Sequence, residues 1–166
     1  MASTIELLLL AQQSGQPSVA AVAYTTSTQT FTLASQVAVS GLSAALAAGA
    51  YLVEARVEWV PSGTVGSTHY HGFSFTGTAS QVMFQGVSWQ AQAANAILQT
   101  TASGVSSLSA TMFGTPTHVA FSGWTEVSGI LVVSAAGTLA ATVQLATAGD
   151  DVTTYAGSWL RVTQIP

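Results

Sequence analysis

Three histidines, six carboxylates and two arginines carry nearly all the reactive chemistry of this 166-residue chain, which has no cysteine and no lysine. His69 and His71 stand two residues apart. On a β-strand that spacing puts both imidazoles on one face, where they could share a metal ion, with His118 as a third ligand from another strand. The set is thin for a metal: no carboxylate lies near it in sequence, and alternation with Phe73 and Phe75 equally suits a packed sheet face. The expectation is therefore no metal and no cofactor, with His69, His71 and His118 as the residues to test. The absence of cysteine removes thiolate catalysis and cysteine-based zinc or iron–sulfur sites.

Glu54, Arg56 and Glu58 alternate along one segment. Four residues of strand separate the two carboxylates by roughly 13 Å, too far for a retaining glycosidase pair. The reading is an ionic stripe in which Arg56 neutralises both neighbours. Serine and threonine are abundant, at 20 and 22 residues, yet no serine sits in a Gly-x-Ser-x-Gly elbow, and Asp150 and Asp151 occupy a turn. Neither a phosphate-cradling glycine loop nor a dinucleotide fingerprint occurs. Arg56 and Arg161 are the only basic residues apart from histidine, and net charge is −4, so nucleic acid is not expected as a ligand. The chain is expected not to be an enzyme.

The elements that position these residues follow a period of two. Tyr51, Val53, Ala55, Val57 and Trp59 fall on one face of a strand, with the ionic stripe on the other, and Pro61-Ser-Gly63 ends it. A second strand spans 69–76. Others are expected over 81–92, 118–126, 128–135, 138–146 and 158–165, with turns at Gly114-Thr-Pro116, Gly137 and Gly149-Asp-Asp151. Segment 90–99 reads either as a helix or as a strand running into a loop. Trp59, Phe84, Trp89, Phe121, Trp124 and Trp159 are assigned to the core in preference to a sugar-binding platform. The fold class is all-β, an antiparallel sandwich or jelly roll.

Residues 1–47 differ, carrying a single charge, Glu6. They read as an N-terminal arm and first strands preceding a jelly-roll domain over 48–166. Ile5, Leu7, Leu8, Leu9 and Leu10 form an apolar run that either starts the core or docks on a neighbouring subunit or particle. No basic residue precedes the run and Glu6 interrupts it, so it is not read as an export signal. The apolar window 37–53 contains Gly41 and Gly49 and leads into the charged strand, so no membrane span is expected.

Two stretches carry a resemblance. Ala48-Gly-Ala-Tyr-Leu-Val-Glu-Ala-Arg-Val-Glu-Trp59 resembles an "aGtYxfEaxl" opening strand, although Val53 stands where that pattern has an aromatic. Gly137-Thr-Leu-Ala-Ala-Thr-Val-Gln-Leu-Ala146, followed by Tyr155-Ala-Gly-Ser-Trp-Leu-Arg-Val-Thr-Gln-Ile165, resembles a "GTLxLxxA … aGSxLxVxxI" closing hairpin. Both are similar to segments of small structural proteins of tailed bacteriophages. The resemblance spans about residues 48–165. It implies a homotrimeric jelly roll, similar in outline to tumour-necrosis-factor-like trimers, that serves as capsid decoration (cement) protein, head fibre or tail-fibre tip. It further implies the major capsid protein as partner, a place on the virion surface after synthesis in the host cytoplasm, and, as the alternative role, glycan recognition by a fibre tip.

Overall fold

The computed structural model describes residues 18–61, 69–92, 96–105, 113–114, 122–147 and 150–166. Among them the strands are β1 (Ser18–Tyr24), β2 (Gln29–Phe31), β3 (Val37–Leu46), β4 (Gly49–Pro61), β5 (His69–Phe75), β6 (Thr78–Gln92), β7 (Ala96–Val105), β8 (Phe113–Gly114), β9 (Gly123–Ala135), β10 (Gly137–Leu145), β11 (Val152–Thr154) and β12 (Trp159–Ile165). One sheet runs β1-β12-β4-β9-β6-β7, with β11 bridging β2 and β4. The other runs β3-β10-β5-β8. All strand pairs are antiparallel. From β1 through β3, β4 and β5 to β6, and again from β9 through β10 to β12, the longer strands alternate between sheets. This wrapped connectivity is that of a double-sheet jelly roll.

The alternation along β4 sets the layers. Tyr51, Val53, Ala55, Val57 and Trp59 are buried between the sheets, while Leu52 is exposed and Glu54, Arg56 and Glu58 are half-buried on the outside. Facing them are Leu139, Ala141, Val143 and Leu145 of β10, Phe73 of β5, and Val39, Leu42 and Leu46 of β3. Each Val or Leu removed from water in this layer contributes about 1.5–3 kcal/mol before the entropy of ordering is counted.

Glycine matters at two kinds of position. Gly41 has φ +86° at a bulge where β3 slips against β10, between the pairs Ala140↔Ser43 and Thr142↔Ala38. Its missing Cβ would lie 3.0 Å from the Tyr24 carbonyl oxygen, so the bulge also lets β3 approach the end of β1. Gly123 and Gly129 on β9 instead leave room for rings: Trp59 lies over Gly123 and Phe84 over Gly129.

Several sequence expectations shift. Segment 90–99 is not helical where described; β6 ends at Gln92, β7 begins at Ala96, and the two pair as a hairpin. Local helix propensity loses because β6 is fixed by β9 on its other side. The two strands expected at 118–126 and 128–135 are one strand from Gly123, since the inward alternation of Thr125, Val127, Leu131 and Val133 runs unbroken through it. Residues 18–46 are built into both sheets, as β1 and β3, so the boundary drawn at 47/48 falls inside the sandwich.

Candidate functional surfaces

Two regions gather the chemistry-bearing side chains. The first is inside, at one end of the sandwich. Both β5 histidines point inward and are 1% exposed. Their ring centroids lie 4.9 Å apart, edge to face. Trp59 meets His69 edge-on at 4.4 Å and stacks on His71 at 6.2 Å. The Trp59 Nε1–H donates to Thr125 Oγ1 at 3.0 Å, and Thr125 shares a 2.9 Å hydrogen bond with Ser88. Thr125 and Ser88 are also fully buried. The structure thus brings His69 and His71 together; His118 lies outside the described residues. Among the described residues no group of three His, Cys, Asp or Glu side chains could hold a metal ion. The arrangement pairs the Trp59 indole N–H with the Thr125 and Ser88 hydroxyls in a closed core and packs both imidazoles against the Trp59 ring.

The second region is the outer face of the large sheet. Strand register sets its rows: Trp89 and Glu58 both oppose Trp124, Arg56 opposes Glu126 and Trp159, and Arg161 opposes Glu54. Directly opposed residues on one face lie about 4.5–5.5 Å apart, closer than second neighbours along a strand. Arg56–Glu126 and Arg161–Glu54 are opposed pairs of this kind, whereas Arg56–Glu58 is a second-neighbour pair along β4. Arg56 reaches Glu58 at 3.1 Å and Glu126 at 3.8 Å. Glu54 is held by Arg161, whose Nε–H donates to Oε2 at 2.8 Å. The stripe in which Arg56 served both Glu54 and Glu58 is therefore corrected: the cross-strand partner wins Glu54. Sequence reading missed Arg161 and Glu126 as partners because register is not a local property.

The aromatic residues divide between faces. Trp59 and Phe84 are in the core. Trp89, Trp124 and Trp159 are half-buried on the outer face, contrary to their core assignment, and Phe121 lies outside the described residues. Trp89 and Trp124 stack at 6.1 Å with planes 21° apart, and the Arg56 guanidinium sits 5.0 Å from the Trp124 ring centroid. The parity of β9 was the available signal, since Trp124 and Glu126 share one phase and Thr125 and Val127 the other. The remaining exposed apolar side chains on this face are Val19, Val22 and Tyr24 of β1, with Leu52 and Met83 beside Ile130.

The outer face of the small sheet is of another kind. Strands β3, β5, β8 and β10 contain no Asp, Glu, Lys or Arg. Their outward positions include Ser43, Ala45, Ser74, Thr138 and Ala140. Its edge is tied down by Gln29, whose side-chain amide both donates to and accepts from the Ser40 backbone at 2.8 Å.

The arm residues Ile5, Leu7, Leu8, Leu9 and Leu10 lie outside the described residues. No protein-family model, curated protein or solved structure matches this chain.

Proposed function

We propose that this chain is a non-enzymatic virion structural protein: a homotrimeric capsid decoration, or cement, protein that binds the major capsid protein on the outside of a tailed-bacteriophage head and stabilises the shell. The observation that carries the reading is the place of the segments that resemble phage proteins. The opening segment is β4, the closing segment is β12, and the two pair over seven residues from Trp159↔Arg56 to Ile165↔Ala50. The Gly137 segment is β10, flanked by β3 and β5 in the other sheet. The resemblance therefore falls on central packing strands in both layers.

The distribution of charge supports the same reading. Both arginines are engaged by glutamates of their own chain, and the small sheet presents hydroxyls and methyl groups. A surface with so little charge is poorly protected against association, a liability for a free monomer and an asset in a lattice of neighbours. One feature favours a second reading, a fibre tip that holds a host glycan: the half-buried Trp89–Trp124 pair beside Arg56 and Glu58, on an open sheet face.

Gel densitometry of purified virions of the encoding phage separates these readings. Decoration predicts abundance comparable with the major capsid protein. A few copies per particle, together with glycan-array binding lost in Trp124→Ala, would replace decoration by the fibre tip. Absence from the virion would overturn both.

A further inference from the structure

Two adjacent rows on the outer face of the large sheet gather aromatic and charged side chains that do not fully satisfy one another. One row runs from Glu58 of β4 through Trp124 of β9 to Trp89 of β6; the next holds Arg56 of β4 opposite Glu126 of β9. Successive rows lie roughly 7 Å apart along the strands. None of the five side chains is fully buried. Arg56 meets Glu58 at 3.1 Å and Glu126 at 3.8 Å and packs on Trp124, whose ring stacks with Trp89. Two donors are left over. The Nε–H of Arg56 and the Nε1–H of Trp89 are out of reach of solvent and have no acceptor. On a face where water satisfies most polar groups these two are exceptions, and a donor in that state is a standing cost that a bound oxygen removes.

The chemistry of the cluster selects a ligand. A sugar ring has an apolar face of C–H groups, which an indole covers, and an edge of hydroxyls, each both donor and acceptor. A carboxylate only accepts and a guanidinium only donates, so Glu58, Glu126 and Arg56 together match hydroxyls in both senses, through charge-assisted bonds. Charge narrows the class further. Two carboxylates share one guanidinium here, and Arg161 is taken by Glu54. A sugar carrying a carboxylate, sulfate or phosphate would meet that carboxylate excess as repulsion.

We propose that this cluster is a binding site for neutral glycans built of hexose or N-acetylhexosamine. The Trp89–Trp124 pair stacks on the sugar, Arg56, Glu58 and Glu126 bond its hydroxyls, and small turns of Trp89 and Arg56 give their leftover donors a sugar oxygen. The proposal rests on the glycan reading above, which it sharpens to a class of sugar, and it is independent of how many copies a particle carries.

The test screens the full chain on an array of neutral oligosaccharides beside sialylated, sulfated and uronic-acid ones, then titrates each bound glycan against the parent and its variants. Neutral glycans should bind, and Trp124→Ala or Trp89→Ala should weaken them about tenfold, the scale of one lost stacking contact. Glu58→Gln keeps shape and the fold while removing one charge; it should weaken neutral glycans and reduce the discrimination against acidic ones. Met83→Ala, on the same face of β6 but away from the cluster, should change affinity less than about twofold. Binding confined to acidic glycans, or neutral binding that survives both tryptophan variants and Glu58→Gln, would overturn this inference and leave the glycan reading standing. Binding to no glycan would overturn both.

Discussion

Trp59 and Trp124 belong to adjacent strands, one register step apart, and face opposite sides of the same sheet. The inner tryptophan is completely buried; its ring occupies the space left by Gly123, and its N–H is satisfied by Thr125. The outer one is half-buried, with Trp89 on one side and the Arg56 guanidinium nearby. Inside, an indole requires a matching void and a matching acceptor, because neither empty space nor an unpaired donor is tolerated away from water. Outside, water supplies whatever the neighbours do not. One residue type therefore has two costs of removal, and the outer face is the one free to change with a partner.

The sharpest way to break this contrast is to truncate each ring. Trp59→Ala should destabilise the fold by about 3–5 kcal/mol, read from the urea midpoint. Trp124→Ala should cost about 1 kcal/mol, the scale of an exposed aromatic pair with a cation–π contact. Similar losses at both sites would end the distinction. Gly123→Ala tests the void from its other side: the added Cβ would fall 2.2 Å from the Trp89 carbonyl oxygen and 2.7 Å from the Trp59 ring, so a loss of about 1–3 kcal/mol is expected.

The acceptor is next in size. Thr125→Val keeps shape but leaves the buried Trp59 N–H and the Ser88 hydroxyl without the oxygen they share. A loss of about 1–2 kcal/mol follows. Adding Ser88→Ala should cost less than it does in the parent chain, because its partner has already gone. Full additivity would show that the three groups do not act as one network.

Much of the sandwich was legible because alternation is local. The run from Tyr51 to Trp59 names its own inward face, and the same phase in 69–75 places His69, His71 and Phe73 together. The histidine pair was legible as a pair; its enclosure was not, since that depends on Trp59 arriving from another strand. The Arg56–Glu58 pair of the stripe is present, but the partner of Glu54 was not legible, for the same reason: Arg161 and Glu54 are 107 residues apart in sequence, and only the β12–β4 register brings them face to face. The outer tryptophans were placed in the core by residue type, when the phase of β9 already put Trp124 with Glu126. The Gly41 bulge joins two sheets through a backbone shape that no side-chain period encodes.

The smallest effect separates the outer face most finely. Arg161 and Glu54 form a directly opposed pair whose side chains are 49% and 27% exposed. Water screens such a pair and side-chain entropy opposes it, so Arg161→Ala should lower stability by no more than about 1 kcal/mol. At 1 M salt, where the screening length is about 3 Å, most of that difference should disappear, whereas the Thr125→Val loss should persist. Arg56→Ala should behave otherwise. It removes a guanidinium that packs on Trp124 as well as pairing with Glu58 and Glu126, and the packing part of its loss should survive salt. Identical salt responses for Arg56→Ala and Arg161→Ala, measured by urea titration at low and high ionic strength, would mean that the aromatic contact adds nothing and that the outer face is an ionic stripe alone.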